Sequence, residues 1–236
     1  MLNKISAVYI TNIEEKINYT FKDKGLLLRS LTHSSYSHDN NLDYNYERLE
    51  FLGDAVVELV ITEYLVKKYP EFQEGDLSIL RAYIVNSSAL FEISKKIDLS
   101  SNILLGKSEF NGVDNIKKAI VADIFEAVMA AVYLDGGYEK VKSIVLNLLE
   151  EFIIEAVQSN SFRDAKTQLQ QICQRDFGRL PEYTLISATG PEHNKTFFVE
   201  VDVCGIMKTQ GQGRSKKEAE KQAATLALKQ YQSNNG

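Results

Sequence analysis

Residues 118–134 constrain the fold more than any other part of the sequence. They read Lys-Ala-Ile-Val-Ala-Asp-Ile-Phe-Glu-Ala-Val-Met-Ala-Ala-Val-Tyr-Leu. As a helix this segment is apolar on every side, so it must be the buried central helix of its domain. Asp123 and Glu126 interrupt it, three residues apart and on one side. Because a buried, unpaired carboxylate is costly, each needs a basic partner or a cation, and the nearest bases are Lys117 and Lys118.

A second set of acidic residues follows one side of the helix predicted for residues 47–67. The predicted core face of this helix consists of Leu49, Leu52, Val56, Leu59 and Val60. The acidic residues on the other side, within roughly 80° of one another, are Glu47, Glu50, Asp54 and Glu58. Like charges at these spacings repel, and no lysine lies between them. The stripe is either a solvated face or part of a cation site shared with Asp123 and Glu126. Helix geometry alone does not rank Glu47 or Glu58 below Glu50 and Asp54.

Phe51 lies on the acidic side of this helix, where the helix's own core cannot accommodate it. A large aromatic side chain in that setting usually has a packing partner, which another subunit could supply. Gly53 costs about 1 kcal/mol in a helix interior. The absence of a side chain there would permit close approach by another backbone.

The chain divides by pattern into two domains. Residues 1–157 read as helical, since apolar residues recur at steps of three and four. A polar segment without periodicity, residues 158–163, is a predicted flexible linker. Residues 164–233 predict an α-β-β-β-α unit with two helices on one face of an antiparallel sheet. The elements predicted in this unit are helices at 164–176 and 215–231 and strands at 181–189, 196–203 and 206–210.

The charge distribution indicates different functions for the two predicted domains. The net charge is −5, which by itself argues against nucleic-acid binding. Residues 1–163 carry −7, however, and residues 164–236 carry +2. The basic residues Lys208, Arg214, Lys216 and Lys217 follow one another without an acidic residue between them. Ser215 and Glu218 predict a capping box, so this run is either a solvated helix start or a phosphate site at a helix N-terminus.

Several classes of protein are excluded or disfavoured. Cys173 and Cys204 are too few for a disulfide framework or a zinc site, and we interpret them as ordinary thiols. No apolar run is long enough to span a membrane, and the first residues lack a signal peptide's apolar stretch. These features predict a cytoplasmic protein with no membrane partner.

A carboxylate cluster with Mg²⁺ suits phosphodiester hydrolysis, because hard cations neutralise the added negative charge and lower the pKa of the attacking water. The alternative route to RNA cleavage uses histidines as acid and base. The sequence offers few histidines for that route. The three histidines are His33, His38 and His193, and His193 lies in the other predicted domain.

Five segments resemble conserved segments of the ribonuclease III family, in the same order and with the same spacing. They are residues 31–36, 47–56, 74–82, 122–127 and 133–137, and the second reads Glu-Arg-Leu-Glu-Phe-Leu-Gly-Asp-Ala-Val. Residues from 164 onward resemble a double-stranded RNA-binding domain. The resemblance therefore covers nearly the whole chain. The departures from the family pattern are Tyr46 in place of Asn, and Ser108 and Ala130 in place of Gly.

The resemblance implies roles for individual residues of the first domain. The metal-binding carboxylates would be Glu50, Asp54, Asp123 and Glu126, with Asp54 and Glu126 as the catalytic pair. The expected cofactor is Mg²⁺, for which Mn²⁺ would substitute, and no small-molecule cofactor is implied. Glu47 and Glu74 match acidic positions that line the RNA-cutting valley. Phe51 matches an aromatic residue that inserts into a socket on the partner subunit of a homodimer.

For the second domain the resemblance implies contacts with duplex RNA. The residues expected to make them are Thr167, Gln170, Gln174, His193, Ser215, Lys216 and Lys217. Such domains recognise the A-form shape and 2′-hydroxyls across roughly 16 base pairs. The implied function is endonucleolytic cleavage of double-stranded RNA, leaving 5′-phosphate and 3′-hydroxyl ends, in ribosomal and messenger RNA processing. A non-catalytic duplex-RNA-binding protein and a structural helical protein remain as alternatives.

Overall fold

The computed structural model describes residues 4–107, 109, 112, 116–191 and 195–235, of which 4–10, 232, 234 and 235 are described by backbone alone. Contacts divide the chain into two compact units, Met1–Ser159 and Asn160–Gly236. The boundary falls inside the predicted linker 158–163. Within the described ranges, no helix combines the length and the apolar character needed to cross a membrane.

The first unit is helical, as the sequence predicts. Its α-helices are α1 (Lys4–Ile17), α2 (Lys24–Ser30), α3 (Ser34–Asp39), α4 (Glu47–Lys68), α5 (Glu74–Ile84), α6 (Ser87–Ser94), α7 (Lys118–Gly136) and α8 (Tyr138–Gln158). Helix α7 is central and packs against α2, α4, α6 and α8. Its apolar residues between Val121 and Val132 are at most 2% exposed, which confirms the prediction of a buried central helix.

The core face of α4 differs in part from the prediction. Leu49, Val56 and Val60 are buried, but Leu59 is 56% exposed. The error has a geometric cause: α4 packs against α7 along a face centred nearer Gly53, so the predicted face is rotated around the helix. Exposed and half-buried residues of α4, with the edge of buried Val56 and neighbours from α7 and α8, line a largely apolar groove of about 490 Å³: Leu52, Ala55, Val56, Leu59, Glu63, Tyr133 and Tyr138.

The second unit has the predicted α-β-β-β-α order. Its elements are α9 (Ala165–Phe177), β1 (Glu182–Thr189), β2 (Thr196–Val203), β3 (Met207–Gly213) and α10 (Lys216–Asn235). The strands form an antiparallel sheet in the order β1-β2-β3. Val199, Val201 and Val203 of β2 are buried, because alternate residues of a strand point to the same face. They face the side covered by α9 and α10, so the predicted fold class is confirmed.

The start of the second unit is held against α9. Asp164 caps this helix by accepting the N–H groups of Lys166 and Thr167. The side-chain amide of Gln168 donates to the carbonyl oxygens of Asn160 and Arg163, at 2.9 and 2.8 Å. Residues 160–163 are therefore ordered on α9 by hydrogen bonds.

In the same unit Cys173 is buried, Cys204 is half-buried, and both are free thiols.

Candidate active site

Gly53 is the point of closest approach between α4 and α7. A Cβ atom at position 53 would overlap the backbone carbonyl group of Glu126. The backbone whose approach Gly53 permits is thus that of α7 in the same chain. Because the two helices touch here, Glu50 and Asp54 of α4 come beside Asp123 and Glu126 of α7. The two acidic sets predicted from separate segments therefore form one group, which we call the carboxylate cluster.

Replacing Gly53 with alanine is expected to destabilise the first unit, although alanine is the better helix former by about 1 kcal/mol. The added methyl group has no space, and overpacking of this kind costs about 1–3 kcal/mol. Thermal unfolding should therefore show a lower melting temperature. Gly75→Ala is the matched control, since a Cβ there meets nothing within 4 Å, and it should leave stability unchanged or raised. A Gly53→Ala chain as stable as the Gly75→Ala chain would contradict this packing.

The electrostatics of the carboxylate cluster favour bound protons or cations. Burial, reinforced by the charges of Asp54 and Asp123, raises the pKa of Glu126 to about 8. The pKa of Glu50 is raised for the same reasons, first by burial and then by Asp123. Burial also raises the pKa of Asp123. A cation could displace the proton of Glu126 and relieve the repulsion among these groups.

Ion pairs do not account for the carboxylate cluster in the part of the chain that the structure describes. Among the residues that the structure describes, none of the four forms an ion pair. Lys117 pairs instead with Glu109 at 3.2 Å, and the Lys118 ammonium lies 5.2 Å from the centroid of the Phe91 ring. Within the same described ranges, no three His, Cys, Asp or Glu side chains are arranged so that they could hold a metal ion. The helices thus bring the carboxylates together, but the side chains do not form a ready-made ligand set.

The remaining acidic candidates occupy different positions around the cluster. Glu58 is close enough to contribute to the raised pKa of Glu126, and Glu47 acts in the same way on Glu50. Glu74 lies on α5, where it accepts a hydrogen bond from the Ser78 hydroxyl at 2.7 Å. It lines a separate groove of about 430 Å³ between α4 and α5.

Two aromatic residues beside the cluster were given no role by the sequence. Tyr46, only 7% exposed, lies near enough to the cluster that burial, and then the charges of Asp123 and Glu50, raise the pKa of its hydroxyl. His33 is stacked on Tyr46, with ring centroids 5.5 Å apart. The sequence signal for Tyr46 is its position directly before the first acidic residue of α4. No sequence signal identifies His33 as its neighbour, because the contact joins segments that only the fold brings together.

Phe51 is the most exposed large hydrophobic residue among those described, at 85%. It lies on α4 one turn before Ala55, which lines the apolar groove of about 490 Å³. A protruding ring and a neighbouring apolar groove on one surface are features of a protein interface.

One lysine of the basic run in the second unit forms an ion pair within that unit. Lys208 pairs with Glu200 at 3.0 Å, and 60% of its side chain stays exposed. The predicted capping box is present in part: the Ser215 hydroxyl accepts the N–H of Glu218 at 3.2 Å, but the Glu218 carboxylate accepts the N–H of Arg214, the residue before the cap, at 2.7 Å. Lys216 and Lys217 are exposed in the first turn of α10.

The other RNA-binding candidates lie mostly on α9. Gln170 and Gln174 are exposed and one turn apart. The Thr167 hydroxyl donates to the Asp164 carboxylate at 2.8 Å and so belongs to the cap of α9. His193, predicted as an RNA contact, and Ser108, a departure from the family pattern, lie outside the described residues.

Comparison with known proteins agrees with this architecture. The sequence pattern named Ribonuclease-III-like matches residues 23–152, and the double-stranded RNA binding motif matches residues 165–231. The chain is similar to Ribonuclease 3 of Caldanaerobacter subterraneus subsp. tengcongensis, with 46% identity over 93% of this chain and 96% of the relative. It is 40% identical to Ribonuclease 3 of Listeria monocytogenes serotype 4a, over 92% of this chain and 96% of that protein.

A solved structure extends the likeness to three dimensions. The nuclease domain of ribonuclease III from Campylobacter jejuni is 43% identical, with a TM-score of 0.56, and the match covers 60% of this chain and 96% of that domain. Fold, site and matches together define a helical nuclease-type domain followed by a double-stranded RNA binding motif. The chain belongs to the ribonuclease III family.

Proposed function

We propose that this protein is a Mg²⁺-dependent endoribonuclease that hydrolyses phosphodiester bonds of double-stranded RNA. The observation that carries the proposal is the carboxylate cluster at the contact of α4 and α7, in which Glu50, Asp123 and Glu126 are half-buried and Asp54 is exposed, without an ion pair among the described residues. Membership of the ribonuclease III family and the RNA binding motif support the choice of substrate.

The chemistry of the donor set fits a hard divalent cation, which prefers carboxylate oxygen ligands. Glu50, Asp54, Asp123 and Glu126 would hold it. Glutamate side chains can rotate, so Glu50 and Glu126 could turn toward a cation while α4 and α7 stay in place. Bound Mg²⁺ would neutralise charge on the phosphate and lower the pKa of the attacking water. The proposed roles of Asp54 and Glu126 as the catalytic pair, and of Mn²⁺ as a substitute, rest on the family resemblance.

The experiment that tests this proposal is incubation with end-labelled duplex RNA, with Mg²⁺ or with EDTA. Internal cuts with 5′-phosphate and 3′-hydroxyl ends are expected only with Mg²⁺, and a DNA duplex of the same sequence should stay intact. Binding of the RNA without cleavage in Mg²⁺ would favour the non-catalytic alternative. Absence of both RNA binding and Mg²⁺ binding would favour a structural role.

Binding of the duplex is assigned to the exposed N-terminal turn of α10 and to Gln170 and Gln174 of α9. Lysines in a first turn oppose the helix dipole, and a backbone phosphate at the N-terminus would offset that conflict. Glu47 and Glu74 are proposed to border the path of the RNA over the first unit.

The double substitution Lys216→Ala, Lys217→Ala is expected to weaken binding of duplex RNA roughly tenfold and to lower the salt slope by about 2. Binding should be measured without Mg²⁺ over a range of salt concentrations. The control Lys221→Ala, Lys229→Ala removes the same charge from the same helix farther from its start, and should change the slope less. Equal slopes in the two double variants would argue against a phosphate site at the helix N-terminus.

We also propose a homodimer with two-fold symmetry. In such a dimer Phe51 of each subunit would enter the apolar groove of the other, since a two-fold interface uses the same patch twice. Two carboxylate clusters would then serve the two strands of one duplex. Cytoplasmic location and the processing of ribosomal and messenger RNA are further expectations from the family.

A further inference from the structure

A polar pocket of about 330 Å³ lies beside the first turn of α4, where α2, α3 and residues 42–45 meet. Its charged lining residues are Arg29 of α2, Arg48 of α4 and Asp43. The lining therefore carries a net charge of +1, although residues 1–163 together carry −7. A positively charged concave surface on an acidic domain is a candidate binding site for an anion.

Neither arginine of this pocket has a polar partner within the protein, as far as the structure describes the chain. Neither guanidinium group forms an ion pair or donates a hydrogen bond there, and Asp43, which lines the same pocket, pairs with neither of them. A shortage of carboxylates does not explain this, because acidic residues outnumber basic ones in this domain. Two guanidinium groups that share a pocket repel each other, so an anion between them would be stabilising.

The pocket is ordered by contacts within its own walls. The guanidinium carbon of Arg29 lies 5.5 Å from the centroid of the Tyr44 ring, and stacking of this kind restricts the guanidinium plane. The Ser37 hydroxyl donates to the carbonyl oxygen of Leu42 at 3.0 Å, and the Leu42 N–H donates to the carbonyl oxygen of Ser37 at 2.9 Å. A wall that is already ordered lowers the entropy cost of binding a ligand.

The pocket lies across α4 from the carboxylate cluster. Arg48 is two residues before Glu50, so their side chains leave the helix on opposite sides. The width of a helix with its side chains, about 10–12 Å, therefore separates an anion in the pocket from the cluster. A duplex carries one negative charge for about every 1.7 Å of its axis, so a duplex that reaches the cluster also offers phosphates at that distance.

We propose that Arg29 and Arg48 together hold one backbone phosphate of duplex RNA in this pocket. The planar fork of a guanidinium group matches the oxygens of a phosphate. The inference rests on the proposed function, because it takes duplex RNA as the ligand. It assigns a basic RNA contact to the first unit, whereas the double-stranded RNA binding motif matches only residues 165–231.

The double substitution Arg29→Gln, Arg48→Gln tests the proposal in the full chain. Binding of duplex RNA is measured in EDTA over a range of salt concentrations, so that cleavage plays no part. We expect binding to weaken about tenfold and the salt slope to fall by about 1, since both arginines neutralise the same phosphate. Each single substitution should already give most of this loss, because groups that share one ligand are not additive.

The matched control is Lys16→Gln, Lys68→Gln, which removes the same charge from exposed positions of the same unit. Its salt slope should equal that of the unsubstituted chain. Because both arginines are also exposed, the melting temperature should change little in either double variant. An equal loss of RNA binding in the control would show that only the net charge matters, and would overturn the site.

Other results would also overturn the shared phosphate site. Unchanged binding by Arg29→Gln, Arg48→Gln would remove both arginines from RNA recognition. Effects that add, with a slope lower by about 2, would indicate two separate surface contacts. Normal RNA binding with weaker self-association in sedimentation velocity would indicate that the arginines face carboxylates of a second copy. Normal RNA binding, with inorganic phosphate raising the melting temperature of the unsubstituted chain alone, would assign the pocket to free phosphate.

Failure of this inference can be distinguished from failure of the proposed function. If the unsubstituted chain binds no duplex RNA, the proposed function fails and the phosphate site fails with it. If the unsubstituted chain binds and cuts duplex RNA, and Arg29→Gln, Arg48→Gln binds it with the same affinity and salt slope, the phosphate site alone is rejected.

Discussion

Replacing Glu126 with glutamine is expected to abolish cleavage of duplex RNA in Mg²⁺ while leaving RNA binding intact. The substitution keeps the size and hydrogen-bonding capacity of the side chain but removes a charge from the carboxylate cluster. A bound divalent cation contributes several kcal/mol to phosphodiester hydrolysis, and each 1.36 kcal/mol corresponds to tenfold in rate. The rate should therefore fall on the order of 10³-fold or more. Single-turnover cleavage measures the loss, and a gel-shift assay without Mg²⁺ measures binding.

The metal-free stability of the same variant gives an independent readout. Glu126 is half-buried beside other carboxylates, and burial raises its pKa to about 8. The pKa of Glu126 in the unfolded chain is near 4.5. Ionisation of Glu126 therefore opposes folding increasingly as the pH rises from about 4.5 to about 8. Over that pH interval, the free energy of unfolding should fall less for Glu126→Gln than for the unsubstituted chain. Added Mg²⁺ should also raise the free energy of unfolding less in this variant. Glu155→Gln, an exposed carboxylate on α8, is the control and should cut normally. Full cutting by Glu126→Gln would remove this residue from the mechanism.

Replacing Phe51 with aspartate is expected to convert the proposed dimer to monomers at micromolar concentration. Each ring that fails to bury its apolar surface forfeits about 2 kcal/mol, and a two-fold interface contains the ring twice. The dissociation constant should therefore rise about 10³-fold, before the cost of bringing a carboxylate to the groove is added. Sedimentation velocity over a concentration series measures the change.

Ile206→Asp is the control for the Phe51 substitution. Ile206 is also a strongly exposed apolar residue, at 58%, but lies in the second unit. Introducing the same charge there should leave the sedimentation coefficient unchanged. A Phe51→Asp chain that still sediments as a dimer at micromolar concentration would show that this ring does not form the interface.

Local patterns in the sequence were sufficient for the fold class and, to within about four residues, for the bounds of α4, α7 and the elements of the second unit. Helix α7 was predicted from a segment that is apolar on every side, and its apolar residues from Val121 to Val132 are buried, whereas Leu134 is 52% exposed. Three valines at every second position of β2 enter the core, because side chains alternate between the two faces of a strand. The face of α4 was less well predicted. Leu59 was assigned to the core but is exposed, since hydrophobicity does not distinguish residues that face the core from residues that face a surface groove.

The sequence by itself determined which residue types are candidates for the chemistry: acidic residues on two helices, an aromatic ring on the acidic side of one of them, and a capped helix with lysines in its first turn. Only the tertiary structure decided which of them are neighbours. The approach at Gly53 places Glu126 against α4, Tyr46 stacks on His33, and Lys208 is paired with Glu200. The physical reason is that helix and strand periodicity acts over a few residues, whereas these contacts join segments that are distant along the chain or on different elements. Their geometry depends on how whole elements pack, which no local pattern contains.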